Sequence, residues 1–140
     1  MKLTEGKAMK GLLNRAVLFA LMAGTIPSVA DPLPKDGSVV FSSLCESDGG
    51  DMSDYRVTIT RQRGAMKVVV DFNDSGPDGK ATARGVKYDQ VNGKLRFRFK
   101  GDLPHEFRGT VSATALQGSF DGEGVTLPAA KAVPKNLPPC

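Results

Sequence analysis

The sequence contains one run of regularly spaced cations that could bind an anionic partner. The stretch Lys94–Lys100 reads KLRFRFK, in which basic and apolar residues alternate without a break. Successive side chains of a β-strand point to opposite faces, so this strand would have one apolar and one basic face. The predicted partner-binding residues are Lys87, Arg96, Arg98 and Lys100. They suggest a protein or an anionic envelope component as partner; the alternative is a solvated outer face.

The residues before this stretch predict a β-hairpin. Asn92-Gly93 is a dipeptide that type I′ turns favour, because both central positions need a positive φ. A two-residue loop at this point would place Tyr88 opposite Phe97 and Lys87 opposite Arg98. Both arms then keep their apolar side chains on a common face.

Groups that could move protons or attack a substrate are few. His105 is the only histidine, and it lies in a predicted turn, where we expect it to be solvated. The serines do not show the spacing of a nucleophile elbow. Two carboxylates suffice for glycoside hydrolysis, so a small carboxylate-dependent hydrolase remains a lesser alternative. The sequence therefore predicts a non-enzymatic domain without catalytic residues or cofactors.

Two acidic loops could supply oxygen ligands to calcium, which prefers several oxygens from one loop. The first loop contains Glu46, Asp48, Asp51 and Asp54. The second loop contains Asp71, Asn73, Asp74 and Asp78. Counted from Asp71, the twelfth position is Thr82 rather than the bidentate glutamate of an EF-hand. Ordinary Asp and Asn turn chemistry accounts for both loops, so we predict no metal site.

Four aromatic residues on predicted inward faces would line an apolar pocket if the interior were hollow: Tyr55, Phe72, Tyr88 and Phe97. Such a pocket would make the protein a carrier of a small apolar ligand. Small barrels are more often filled by their own side chains. The carrier is therefore the alternative to partner binding.

The first thirty residues predict a cleaved signal peptide. Basic residues precede a short apolar run that begins at Ala16, and the small residues Ser28 and Ala30 suit a cleavage site after Ala30. The run is too short to span a bilayer. We expect a periplasmic or secreted product, residues 31–140, without a transmembrane segment. Met9 is an alternative start to Met1.

Net charge does not support a general role at nucleic acid or at a membrane surface. The chain has 19 Lys and Arg and 15 Asp and Glu. The predicted leader contains four of the basic and one of the acidic residues, so the product carries 15 against 14, a net charge of +1. A chain so nearly neutral lacks the overall excess of positive charge that is typical of nucleic-acid-binding domains.

Both cysteines, Cys45 and Cys140, fall in the predicted product. Export favours a disulfide between them, which would link the end of the first strand to the end of the chain. Pairing of Cys140 with a second chain is the alternative, and the oligomeric state stays open.

Residues 31–140 predict a single all-β domain of about eight short antiparallel strands. Period-two alternation recurs between turns rich in Gly, Asp and Pro. A long meander avoids exposed edges by closing on itself. A small up-and-down barrel is the first choice and a β-sandwich the second.

Local details complete this prediction. A β-bulge at Gly85 would turn Ala81 and Ala83 inward. Ala113 would also face inward, and the last strand would be short, Val125–Leu127. Residues 128–140 would form a proline-rich tail.

Overall fold

The computed structural model describes residues 31–73, 79–130 and 136–140, so the predicted signal peptide lies outside the described residues. The described ranges contain eleven strands: β1 (Gly37–Ser42), β2 (Cys45–Glu46), β3 (Met52–Ser53), β4 (Arg56–Gln62), β5 (Ala65–Asp71), β6 (Lys80–Thr82), β7 (Arg84–Asp89), β8 (Lys94–Lys100), β9 (Pro104–Val111), β10 (Ala115–Phe120) and β11 (Glu123–Ala130). Within these ranges, no helix has the length and apolar character needed to cross a membrane.

Nine of the strands form one antiparallel sheet that closes almost completely into a barrel. Their order is β6-β5-β4-β1-β11-β10-β9-β8-β7, while β2 and β3 form a separate two-stranded sheet. Neighbours in the large sheet are consecutive along the chain except in two places. β1 pairs with β4 across the β2–β3 hairpin, and β1 pairs with β11 through Val40 with Ala130 and Phe41 with Ala129. The predicted all-β barrel with its first and last strands side by side is confirmed.

One stretch of chain, residues 80–89, supplies both edges of the large sheet. β6 pairs with β5, β7 pairs with β8, and between them the amide of Ala83 donates to the carbonyl of Val68 at 2.8 Å. The β7–β8 register shifts next to Gly85, whose φ is +60°, which confirms the predicted bulge. As predicted, Ala81 is buried and Ala83 packs against the core. Residues 80–89, which the sequence predicts as one long strand with a bulge at Gly85, are thus divided into β6 and β7, so about eight predicted strands become nine in the large sheet.

The loop between β7 and β8 is longer than predicted. Asp89 pairs with Lys94, so four residues rather than two connect the strands. The Asp89 carboxylate accepts hydrogen bonds from the amides of Val91 and Asn92 and from Asn92 Nδ2, at 2.9, 3.3 and 2.9 Å. The two-residue turn was wrong because this side chain organises the loop. A displacement of two residues preserves the alternation, so every side chain keeps its predicted face.

Aromatic and branched side chains fill the interior. β8 alternates between exposed and buried at every position, as predicted. The rings of Phe97 and Phe107 stack with centroids 5.0 Å apart, and Phe107 contacts Phe120 at 4.9 Å. Full burial of a side chain of this size stabilises a fold by about 1.5–3 kcal/mol. β8, β9 and β10 supply these rings, and β1, β4, β5 and β11 contribute further fully buried side chains, among them Phe41, Ile59, Val68 and Leu127.

Two glycines allow β9 and β10 to approach closely. Gly109 pairs directly with Gly118. A methyl group on Gly109 would overlap the carbonyl oxygen of Gln117 and lie 2.7 Å from the ring of Phe107. The sequence places Gly109 on the inward side of its strand, which predicts close packing, and the structure confirms it.

Residues 31–34, which we call the N-terminal plug, bridge strands that are not neighbours in the sheet. The sequence predicted only a proline-marked segment without ladder hydrogen bonds. Leu33 is 3% exposed and belongs to the core. Asp31 accepts hydrogen bonds from the Tyr88 hydroxyl on β7 and from Arg61 Nη1 on β4, at 2.5 and 2.7 Å. The plug thereby connects β4 with β7, which do not pair with each other in the sheet.

The C-terminal part differs from the prediction in three details. β11 extends over eight residues, of which six pair with β10, so the short strand Val125–Leu127 was wrong. The predicted tail can begin only after Ala130, because residues 128–130 belong to the sheet. Ala113 is exposed in the turn between β9 and β10, because β9 already ends at Val111.

The two cysteines lie at disulfide distance within one chain, as predicted. Their Cα atoms are 5.1 Å apart across a sequence separation of 95 residues. The amide of Cys140 donates to the carbonyl of Glu46 at 3.0 Å, and the Glu46 amide donates to the carbonyl of Pro138 at 2.8 Å. Backbone hydrogen bonds therefore hold residues 138–140 against β2.

Candidate functional site

The cations predicted to bind a partner lie on the outer surface of three adjacent strands. β8 pairs with β7 on one side and with β9 on the other. We call the exposed Lys and Arg side chains of these strands the basic face: Arg84, Lys87, Lys94, Arg96, Arg98, Lys100 and Arg108. All four cations predicted from the sequence belong to this face.

Like charges oppose one another across the basic face. Arg96 on β8 lies opposite Lys87 on β7 and opposite Arg108 on β9. Arg84 on β7 lies opposite Arg98 on β8. Like charges directly opposite each other destabilise a sheet. Opposite charges also face each other in the same register, Arg98 with Glu106 and Lys94 with Asp89, so the three like-charge pairs are its unfavourable part.

Glu106 neutralises part of the basic face. Its Oε1 atom accepts hydrogen bonds from Arg96 Nε at 2.7 Å and from Arg108 Nε at 3.1 Å. The hydrogen bonds from Arg108 and Arg96 hold the pKa of Glu106 below its usual value. Because one ionised carboxylate is shared by two guanidinium groups, the trio keeps a net positive charge.

Positive charge is concentrated on this face and not balanced there. Its seven cations are accompanied on the same strands by two carboxylates, Asp89 and Glu106, which gives a net charge of +5. Residues 31–140 contain 15 Lys and Arg against 14 Asp and Glu, so the remaining eight cations and twelve carboxylates give −4. Charge separated in this way attracts anions to one side of a nearly neutral molecule.

A groove of about 600 Å³ lies within the basic face. Its lining is mostly apolar, although most of the side chains beside it carry charge; it is lined by Lys87, Tyr88, Asp89, Lys94, Leu95, Arg96, Arg108, Gly109 and Thr110. The Leu95 side chain itself is buried in the core. Two lysines and two arginines therefore border the groove, and guanidinium binds phosphate or carboxylate with paired hydrogen bonds.

A second cavity, of about 660 Å³, lies where β6 and β8 diverge, and we call this gap the seam. In the described sheet β6 pairs with β5 only, and β7 pairs with β8 only as far as Arg98. Arg84, Arg98 and Lys100 border the seam, together with Thr82 and His105. The basic face therefore continues to this edge of the barrel.

His105 lies in β9 rather than in a turn. Its Nδ1 atom is 2.7 Å from Asp121 Oδ2, its ring stacks on Phe99 with centroids 5.1 Å apart, and its side chain is 19% exposed. Burial raises the pKa of Asp121, but hydrogen bonds from His105 and the Glu106 amide outweigh it, so the net shift is downward. The predicted solvated histidine was wrong, because β9 begins two residues earlier than expected and its alternation turns His105 inward.

The four aromatic residues predicted to line an apolar pocket pack against other side chains. Tyr55 stacks on Phe120 with centroids 4.1 Å apart, and Phe72 lies 6.0 Å from Tyr55. Phe97 is fully buried in the core. Tyr88 donates its hydroxyl proton to the N-terminal plug. The structure brings together Tyr55 and Phe72 and places the other two in separate contacts.

The second acidic loop is only partly described. Asp71 is 4% exposed and pairs with Arg56 at 2.9 Å and Lys80 at 3.7 Å, so cations of the two neighbouring strands already occupy it. Asn73 is exposed, and Asp74 and Asp78 lie outside the described residues. Among the residues that are described, no group of three or more His, Cys, Asp or Glu could hold a metal ion.

Three cations of the basic face were not among the predicted site residues. Lys94 belongs to the alternating stretch, and Arg108 to the outward face of the next strand, so pairing that strand with β8 would have added both. The bulge predicted at Gly85 turns Ala83 inward and leaves Arg84 outward, but only the pairing of β7 with β8 places Arg84 opposite Arg98. The seven cations of the basic face can therefore be identified only when it is known which strands are adjacent.

Comparisons with protein-family models, curated proteins and solved structures found no match to this chain.

Proposed function

We propose that this protein is an exported, non-enzymatic domain that binds a polyanionic partner through the basic face. The observation that carries the proposal is the gathering of seven exposed cations on three adjacent strands. The predicted signal peptide supports export.

The opposed like charges support binding rather than a structural role. Lys87, Arg96 and Arg108 form a row across three strands that repels itself. An anion bound above this row would offset the repulsion between the three cations. Binding of an anion would therefore account for a register that places like charges opposite each other. Glu106 relieves it only in part, because it is one carboxylate between two arginines.

The side chains of the groove also suit binding better than catalysis. Arginine stays charged at all physiological pH values, and an exposed lysine does so near neutrality. Proton transfer needs groups that change their charge near the working pH. Fixed positive charges instead supply a steady attraction for phosphate, sulfate or carboxylate groups.

The test is retention on immobilised polyphosphate with a salt gradient. We expect the wild-type domain, residues 31–140, to be retained and Arg96→Glu/Arg98→Glu to pass through, because it reverses the charge at the centre of the face. Both side chains are exposed, so the variant should keep its fold, which circular dichroism checks.

The matched control is Lys35→Glu/Arg63→Glu. It changes the net charge equally at two exposed positions outside the basic face, and we expect it to elute close to the wild type. Equal retention of the two double variants would overturn the proposal, because binding would then follow net charge rather than this surface.

A further inference from the structure

The two large hydrophobic side chains that the described residues leave exposed both flank the basic face. They are Val91, 63% exposed, and Leu103, 65% exposed. Val91 lies in the loop that precedes β8, and Leu103 in the loop that follows it. The central strand of the basic face therefore has an exposed apolar side chain beyond each of its ends.

Both loops have defined backbone geometry. The Val91 amide donates to the Asp89 carboxylate at 2.9 Å, and the Gly93 amide donates to the Asp89 carbonyl at 2.7 Å. In the second loop the amide of Gly101 donates to the carbonyl of Leu103 at 3.1 Å. Because hydrogen bonds already order these loops, covering their exposed side chains with a partner costs little further conformational entropy.

Cations between two apolar tips match the surface of an anionic lipid bilayer. Phosphate headgroups attract Lys and Arg, while the boundary between headgroups and acyl chains accepts exposed apolar side chains. A soluble polyanion would use the cations and leave Val91 and Leu103 in water. The combination of both features favours a lipid surface over other anionic partners.

We propose that the basic face docks on an anionic lipid bilayer, with β8 parallel to the surface and Val91 and Leu103 entering the interfacial region. Headgroup phosphates then bind the exposed cations Lys87, Lys94, Arg96 and Arg108. This inference rests on the proposed function, because it names the anion that the basic face binds.

The test is co-sedimentation of the domain, residues 31–140, with two kinds of vesicle. One is phosphatidylcholine alone, and the other is phosphatidylcholine mixed with phosphatidylglycerol. We expect binding to the mixed vesicles only, and weaker binding as salt is raised. Arg96→Gln should lower the affinity about fivefold, which corresponds to about 1 kcal/mol per charge near an anionic membrane.

The decisive variant is Val91→Ser/Leu103→Ser. We expect it to lose binding to mixed vesicles but to keep wild-type retention on polyphosphate, because it leaves every cation in place. The conservative variant Val91→Leu/Leu103→Met should bind vesicles as the wild type does. Both positions are exposed, so neither variant should affect folding.

The outcomes separate this inference from the proposed function. Retention on polyphosphate without binding to mixed vesicles would overturn the lipid assignment and leave the proposed function standing. Unchanged vesicle binding by the serine variant would overturn the docking geometry. Failure to bind either probe would overturn both proposals.

Discussion

Asp31 connects distant parts of the chain through a single side chain. Its carboxylate accepts hydrogen bonds from the Tyr88 hydroxyl, from Arg61 Nη1 and from the Leu33 amide. Burial raises the pKa of Asp31, but the hydrogen bonds from Tyr88 and Arg61 outweigh it and the net shift is downward. Burial and the bond to Asp31 raise the pKa of Tyr88 well above its usual value, so its hydroxyl remains a donor.

We expect Asp31→Asn to lower the free energy of unfolding at pH 7 by about 1–3 kcal/mol, because Tyr88 and Arg61 lose a charged acceptor. The folded-state pKa of Asp31 lies below the ordinary value of 3.8. Its contribution is therefore complete above that pH and is lost as the pH falls through the folded-state pKa. The difference between wild type and variant should shrink below pH 3.8, as urea unfolding at neutral and acid pH would show.

The control for this change is Asp48→Asn, at an exposed position of the acidic loop. It should be nearly neutral at both pH values. A destabilisation by Asp31→Asn that stays the same at acid pH would contradict the assigned role of its charge.

The sequence could not reveal this contact, because Asp31 and Tyr88 are 57 residues apart. The local sequence shows the prolines on either side of Leu33 but does not indicate which strands this segment contacts. The burial of Asp71 was not predicted for a related reason, because it depends on Arg56 and Lys80 in the two adjacent strands.

At the scale of elements, period-two alternation was sufficient to predict the faces of the strands. β8 follows it without exception, and the bulge at Gly85 was predicted from the conflict between Ala81 and Val86 over which face is inward. Loop lengths were harder to predict. Asp89 shifts the β7–β8 register by two residues through hydrogen bonds that a turn dipeptide does not encode.

The approach of β9 to β10 makes a prediction for the glycines between them. We expect Gly118→Ala to destabilise the domain by about 1–3 kcal/mol or more, because its methyl group would overlap the Arg108 carbonyl oxygen and lie 2.6 Å from Gly109 Cα. Gly124→Ala is the matched control, since its methyl group would meet no atom within 4 Å. Denaturant unfolding of both variants gives the comparison, and equal stabilities would contradict the close approach.

At the scale of the whole molecule, barrel closure was predictable because a long meander has few other ways to cover its edges. The position of the remaining gap was not. It is the seam beside β6 and β8, next to residues 80–89, rather than a gap between the first and last strands. Residues 80–89 change their hydrogen-bonding partner from β5 to β8 partway along. The only indication of this change in the sequence is that the segment is long for a single strand.

The pairing of Cys45 with Cys140 should make a large contribution to stability. The chain-entropy model gives about 4–5 kcal/mol for a closed loop of this length. We expect Cys45→Ser/Cys140→Ser to lose about 2–5 kcal/mol in denaturant unfolding under non-reducing conditions. Reductant should destabilise the wild type similarly and leave the variant unchanged. A wild type that is insensitive to reductant would contradict a stabilising role.

The ladder between β1 and β11 also has a consequence for how the chain reaches its native state. All other neighbours in the large sheet are joined by short connections or, for β1 and β4, by the β2–β3 hairpin, so their pairing closes small loops. Only the β1–β11 pairing joins segments that are almost a whole domain apart in sequence, and forming such a long-range contact slows folding because chain entropy is lost before contacts compensate for it. A disulfide between Cys45 and Cys140 that survives unfolding would keep these segments close together. The oxidised chain would therefore begin folding with its longest-range contact already restrained.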